Sequence, residues 1–248
     1  MLFSSQLAAL QRCCGEPGSW AAHYDRTVAA LVLFDLDNTL LDRVGVFRRW
    51  AMAWASERGL GTSEAVQWLE AADGDGFALR PAFFAQVKER FNLADPVDDL
   101  VEAYSLSYPT FVEPAPQPVK TALTALKDHG YRVGIVTNGP PSQEEKISRM
   151  QLGNLVDGWA VSALVGANKP SPAIFDAAAT ACGVTGSTWR EGSWMVGDSA
   201  EADIGGAQAS RLRSIWIDRG RNWPGDLAGP DRIASGIPEA VDIILADG

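Results

Sequence analysis

The chain has 248 residues, 46% of them hydrophobic and 21% charged, which is ordinary globular composition for one large domain or a domain carrying a smaller insertion. A formal net charge of −10 argues against nucleic acid polymers and anionic membranes as main partners, because both demand a basic face. Three cysteines, two of them adjacent, and two histidines fit neither a four-ligand zinc spacing nor a disulfide framework, and the expected setting is reduced and cytoplasmic.

Residues 1–30 read as an N-terminal extension. Within it "SSQLAALQR" has helical spacing, Leu7 and Leu10 sharing a face, and "GEPGS" breaks it. The segment lacks the basic start and uninterrupted apolar core of a signal peptide, and no apolar run reaches the length of a membrane span. "LVLF" at residues 31–34 then reads as a buried strand. Asp35 and Asp37 follow it directly, on one face if strand geometry persists. Two like charges held close at a strand end repel each other and lose solvation, so the pair needs a compensating cation or a chemical use.

Residues 43–113 read as helical. "RVGVFRRWAMAWASERG" places Val46, Trp50 and Trp54 on one stripe that stops at Gly59. "TSEAVQWLEAAD" opens on a Thr/Ser cap, while "RPAFFAQVKERF" and "DPVDDLVEAYSLSY" carry Pro near the start, where a helix tolerates it. "GDGFALR" reads as an exposed loop, and "EPAPQPVK" marks a boundary. Thereafter helix and strand alternate: helix "PVKTALTALKDHG", strand "YRVGIVTNG", helix "SQEEKISRMQL", strand "WAVSALV", helix "SPAIFDAAATACG". Strand "SWMVGDS", helix "EADIGGAQAS", strand "RSIWID" and helix "PEAVDIILAD" complete the series. Such alternation predicts an α/β fold, a Rossmann-like parallel sheet with helices on both faces. The core domain spans 31–42 and 114–248, and 43–113 forms an inserted helical domain after its first strand.

Ligands of open parallel sheets bind beyond the carboxyl ends of the strands. Four segments place polar chemistry there: "FDLDNT", "VTNG", "NKPSP" and "VGDSAEAD". Each alone has a bland reading as a turn, a helix entry or a cap. In this order they resemble the haloacid dehalogenase superfamily, and "VGDSAEADIGGAQAS" closely matches its fourth motif. The likeness covers nearly all of the chain after residue 30.

The resemblance implies a phosphomonoester hydrolase acting on a small phosphorylated metabolite. Asp35 would be the nucleophile, forming an aspartyl-phosphate, and Asp37 the general acid and then base. Thr137, Asn138 and Lys169 would hold phosphate, Lys169 also neutralising the nucleophile. Mg²⁺, a hard ion suited to carboxylate and carbonyl oxygens, would be held by Asp35, Asp37 (through its backbone carbonyl), Asp198 and Asp203. Superfamily dehalogenases carry no aspartate at the place of Asp37, because a halide leaving group needs no proton. The helical insertion falls where the family's type 1 caps fall. Arg43, Arg48, Arg80 and Lys88 are its candidate substrate contacts, each with a solvated helix face as the alternative. Trp50, Trp54 and Trp68 read as packing rather than stacking platforms. A phosphoryl transferase or mutase of the same superfamily, and a non-catalytic binding protein on the same fold, are the rival readings.

Overall fold

The apolar run after residue 30 forms the middle of the sheet. The structure is a computed structural model that describes residues 30–186 and 188–247. The helix expected in "SSQLAALQR" lies outside the described residues. Strand β1 (Leu31–Phe34) is flanked by β2 (Arg132–Thr137) and β4 (Trp194–Gly197), with β3 (Gly158–Val161) beyond β2 and β5 (Arg213–Ile217) then β6 (Arg232–Ala234) beyond β4. All five pairings are parallel. The chain reverses its direction of travel across the sheet at β1, so the crevice at its carboxyl end is the topological switch point, where such sheets bind ligands.

Every residue of β1 is buried because both sheet faces are covered. Val32 and Phe34 belong to one apolar cluster, Leu31 and Leu33 to the other, the alternation that a strand's period of two imposes. The first cluster runs on into the insertion, where α1 (Arg43–Glu57), α2 (Ser63–Asp73), α3 (Arg80–Phe91) and α4 (Val97–Ser107) pack. Trp50 is its anchor: its ring lies 4.8 Å from that of Tyr104 and 5.8 Å from that of Trp54, and its Nε1 donates to Ser107 Oγ. Trp68 packs edge-on against Phe91. These tryptophans fill the core of the insertion, as their spacing implies.

Helix α5 (Gln117–Asp128) packs against α10 (Ile237–Ala246) and β2, on the sheet rather than in the helical insertion. Its Pro at the first turn and the left-handed Gly130 after its end match the stop and start signals in the sequence.

One expectation needs correction, and one strand was not foreseen. "WAVSALV" is not one strand: β3 ends at Val161, and Ser162–Val165 form the short helix α7. The apolar run continues, but Ser162 Oγ accepts the Gly139 amide and turns the chain. Strand β6 had no sequence signal, because three residues at a sheet edge show no period. Among the described residues no helix is long and apolar enough to cross a membrane.

Candidate active site

Asp35 leaves the sheet without leaving its register: its amide donates to Val196 O on β4 at 2.9 Å. Its buried side chain meets Lys169, whose Nζ lies 2.6 Å from Asp35 Oδ1, 2.7 Å from Asp203 Oδ1 and 2.9 Å from Val136 O. All three ammonium protons are thereby used. Lys169 enters just before α8 (Pro172–Ala181) and is held by Asn138, whose Oδ1 accepts the Lys169 amide while its Nδ2 donates to the Lys169 carbonyl. The Asn138 side chain thus positions the lysine, a use that its place in a strand-end turn does not reveal.

Asp198 follows β4, and Asp203 lies in a π-helical turn, Ala200–Gly205, that leads into α9 (Gly206–Ala209). Such turns recur at functional sites because the extra residue re-aims a side chain. Asp203 Oδ2 accepts the Ser199 amide at 2.9 Å. A Cβ on Gly197 would lie 2.2 Å from that same oxygen, so the glycine before Asp198 is what lets Asp203 in. At Gly206 a Cβ would strike Phe175 at 2.5 Å, so the backbone packs closely there, whereas Gly205 meets only an ordinary contact.

Asp35, Asp198 and Asp203 each offer one oxygen within 4.8 Å of the others. Burial pushes the Asp35 carboxyl up from 3.8 to about 7; Lys169 pulls it down, while the charges of Asp203 and Asp37 add to the rise. Burial also raises Asp203 against the pull of Lys169. Asp198 is raised by burial and by Asp35, an effect partly offset by Arg221 and Arg219. Burial, rather than a lack of neighbouring cations, keeps the three carboxyls high.

Asp37 stands apart from this trio. Lys146 Nζ lies 2.9 and 2.8 Å from its two oxygens, and Gln143 Nε2 lies 2.9 Å from Oδ2. Burial raises the Asp37 carboxyl, but Lys146 and Gln143 outweigh it and hold the group below the usual carboxylate range. Gln143 Nε2 also donates to Thr137 Oγ1 at 2.8 Å. Both partners come from α6 (Gln143–Arg149), and neither was singled out from the sequence. A signal existed: Gln143, Lys146, Ile147 and Met150 share the buried face at helical spacing. In a run as charged as "SQEEKISRM" it is masked.

The basic candidates of the insertion separate into two groups. Arg43 grips Asp73 with two bonds of 2.7 and 2.9 Å, and Arg80 joins the same carboxylate at 2.7 Å. The charge of Arg43 also helps to lower the Asp37 carboxyl. Arg48 instead pairs with Glu70 on the exposed surface, and Lys88 holds the Ala94 and Asp95 carbonyls between α3 and α4. The structure does not gather these two with the carboxylates, because nearer acceptors take their donors.

Asp75, in the loop Gly74–Gly76, ties the insertion to the sheet. It accepts from Asn38 Nδ2 at 3.1 Å and from Arg219 at 2.6 and 3.3 Å, and Arg219 also reaches Asp198 at 3.1 Å. Asp75, Asn38 and Arg219 all hold left-handed backbone conformations, with φ of 58°, 63° and 50°. Three such residues meeting at one contact mark a built junction. Asp75→Ala is expected to speed amide exchange in the Gly74–Gly76 loop by about tenfold, the worth of a charge-assisted contact partly open to water. Unchanged exchange would mean that the contact does not hold the loop.

Burying three carboxylates at a sheet edge carries a stability cost that a purely structural protein would shed, and this marks an α/β enzyme. The family model described as haloacid dehalogenase-like hydrolase matches residues 29–211, and the chain belongs to that family. The curated relatives that it matches include phosphatases. The glyceraldehyde 3-phosphate phosphatase of Pyrococcus furiosus is 30% identical over 229 residues, covering 86% of this chain and 92% of its own. That of Methanopyrus kandleri is 31% identical, covering 77% and 84%. In three dimensions the magnesium-bound HAD-hydrolase YfnB of Bacillus subtilis aligns with a TM-score of 0.69 over 88% of this chain and 99% of its own, at 18% identity, a likeness of fold alone.

Proposed function

We propose that the chain is a Mg²⁺-dependent phosphomonoester hydrolase that works through an aspartyl-phosphate. The observation that carries this is Asp35: a buried carboxylate at the switch point, 2.6 Å from a buried lysine and followed two residues on by a second carboxylate. The cap domain would be 43–113, on a core of 31–42 and 114–248, with Arg43 and Arg80 in reach of the substrate.

The donor set fits Mg²⁺. Three carboxylates whose protonation is favoured by burial, despite Lys169 on Asp35 and Asp203 and Arg219 and Arg221 on Asp198, offer a hard, all-oxygen donor set. Asp35 and Asp198 would hold the ion by their side chains, Asp37 by its backbone carbonyl, and Asp203 directly or through water. Bound there, Mg²⁺ would offset the repulsion between the carboxylates and an incoming phosphate dianion.

The chain's own residues do the rest. Thr137 and the Asn138 backbone, at the end of β2, would grip phosphate oxygens beside Lys169. Asp35 attacks phosphorus in line, forming one P–O bond as the bond to the leaving oxygen breaks. Asp37, held low by Lys146 and Gln143, would take up a proton as the charge of the phosphate dianion raises its pKa, give it to that oxygen, and then take one from the water that cleaves the aspartyl-phosphate. The cap excludes bulk water meanwhile.

The P. furiosus and M. kandleri relatives put triose phosphates first on a substrate panel, ahead of nucleotides, phosphoglycolate and phosphoserine. Phosphate release from one of these with Mg²⁺, and none after chelation, is the expected result; metal-independent turnover would contradict it. Cation and proton compete for the same carboxylates. Asp35, raised from 3.8 to about 7, takes up a proton on folding between those values, so its contribution to stability is full below that window and lost above it. Mg²⁺ is therefore expected to raise the melting temperature more at about pH 8 than at about pH 5. An equal rise at both would place the ion elsewhere.

A further inference from the structure

Lys146 is a buried cation with an unusual choice of partner. Its own helix offers two carboxylates beside it, but Glu144 accepts from Trp159 Nε1 and Glu145 pairs with Arg149. Lys146 instead reaches Asp37, 109 residues back, and touches both carboxylate oxygens. The same Nζ lies 5.3 Å from the centre of the Tyr108 ring, in the single turn Tyr108–Phe111 that closes the insertion. The ammonium thus has Asp37 and the turn that closes the insertion as neighbours.

Gln143, one turn earlier, adds a second restraint. Its amide nitrogen has two protons; one goes to Asp37 Oδ2 and the other to Thr137 Oγ1. A single side chain therefore spans the distance between the second carboxylate and the hydroxyl at the end of β2. Asp37 Oδ2 is doubly held, by Gln143 and Lys146, whereas Oδ1 is held by Lys146 alone. Oδ1 is the less encumbered oxygen.

We infer that Lys146, assisted by Gln143, is a positioning residue that sets the Asp37 carboxylate relative to the phosphate grip at Thr137, presenting Oδ1 to the leaving-group oxygen. The inference rests on the proposed acid–base use of Asp37. It differs from a structural ion pair in one consequence: its loss matters only where the leaving group needs a proton. An alkyl alcohol does, and para-nitrophenolate, which departs as a stabilised anion, does not.

The test compares kcat/KM for the best alkyl phosphate of the panel with that for para-nitrophenyl phosphate. Lys146→Met is expected to lose about 100-fold on the alkyl phosphate and less than about fivefold on the aryl one, the scale of a misplaced general acid. Lys146→Arg, which keeps charge and reach, should recover most of the alkyl activity. Lys146→Gln gives the same reading should the methionine variant fail to fold. Equal losses on both substrates, or none on either, overturn the inference. Asp37→Asn, run in parallel, separates the two levels. If it loses both substrates equally, the acid–base reading fails and takes the inference with it. If it splits them while the Lys146 variants do not, positioning by Lys146 alone is refuted.

Discussion

Asp35→Asn is expected to abolish turnover, by at least about 10⁴-fold, without lowering the melting temperature. Activity falls because an amide is no nucleophile toward phosphorus, and nothing else at the end of β1 can replace it. Stability holds for a separate reason. Asp35 is buried beside Asp203 and Asp37, and its carboxyl is pushed up to about 7, so near neutral pH its ionised form is a burden on the fold. Asparagine has the same shape and still offers an oxygen to Lys169. The lysine retains Asp203 at 2.7 Å and the Val136 carbonyl at 2.9 Å, so no buried cation is orphaned. Steady-state phosphate release and a thermal melt check the two halves. A variant that keeps turnover would remove Asp35 from the chemistry, and one that melts early would show Asp35 to be a structural partner of Lys169.

Lys169→Met should damage both activity and fold. The ammonium bridges Asp35 and Asp203, and removing it leaves two buried carboxylates facing each other and Asp198. Breaking a buried pair by removing one partner costs about 3–5 kcal/mol. The loss should depend on pH. Without the lysine's pull the carboxyls of Asp35 and Asp203 rise further; Asp35, already at about 7, is neutral at about pH 5, so the damage is smaller there than at about pH 8. Melting curves at the two pH values decide the matter. A uniform loss would mean that the alkyl chain of Lys169, rather than its charge, is what the core needs.

Much of this site was legible because its residues are punctuation. Asp35, Thr137 and Asp198 each stand where an apolar run stops, and Lys169 stands just before a helix that opens on Pro172. Strand ends of a parallel sheet share one edge, so residues scattered over the sequence converge once the alternation of helix and strand is recognised. The tryptophans of the insertion were legible for a related reason: their spacing places them on one helix face, and large apolar rings on one face pack together.

The remaining contacts had no such mark. Lys146 looks like one more charge on a polar helix until α6 is seen lying against Asp37. Arg43 and Arg80 read as candidate substrate contacts or as a solvated helix face, and nothing local said that both would share Asp73. The Asp75–Arg219 tie joins residues 144 apart. The sequence by itself determined five of the six strands, the insertion and the residues at the strand ends, because period, caps and breakers are local properties of the chain. Only the tertiary structure decided which cation meets which carboxylate, since an ion pair depends on distance in space, and a long charged side chain takes the nearest acceptor that the packing brings to it.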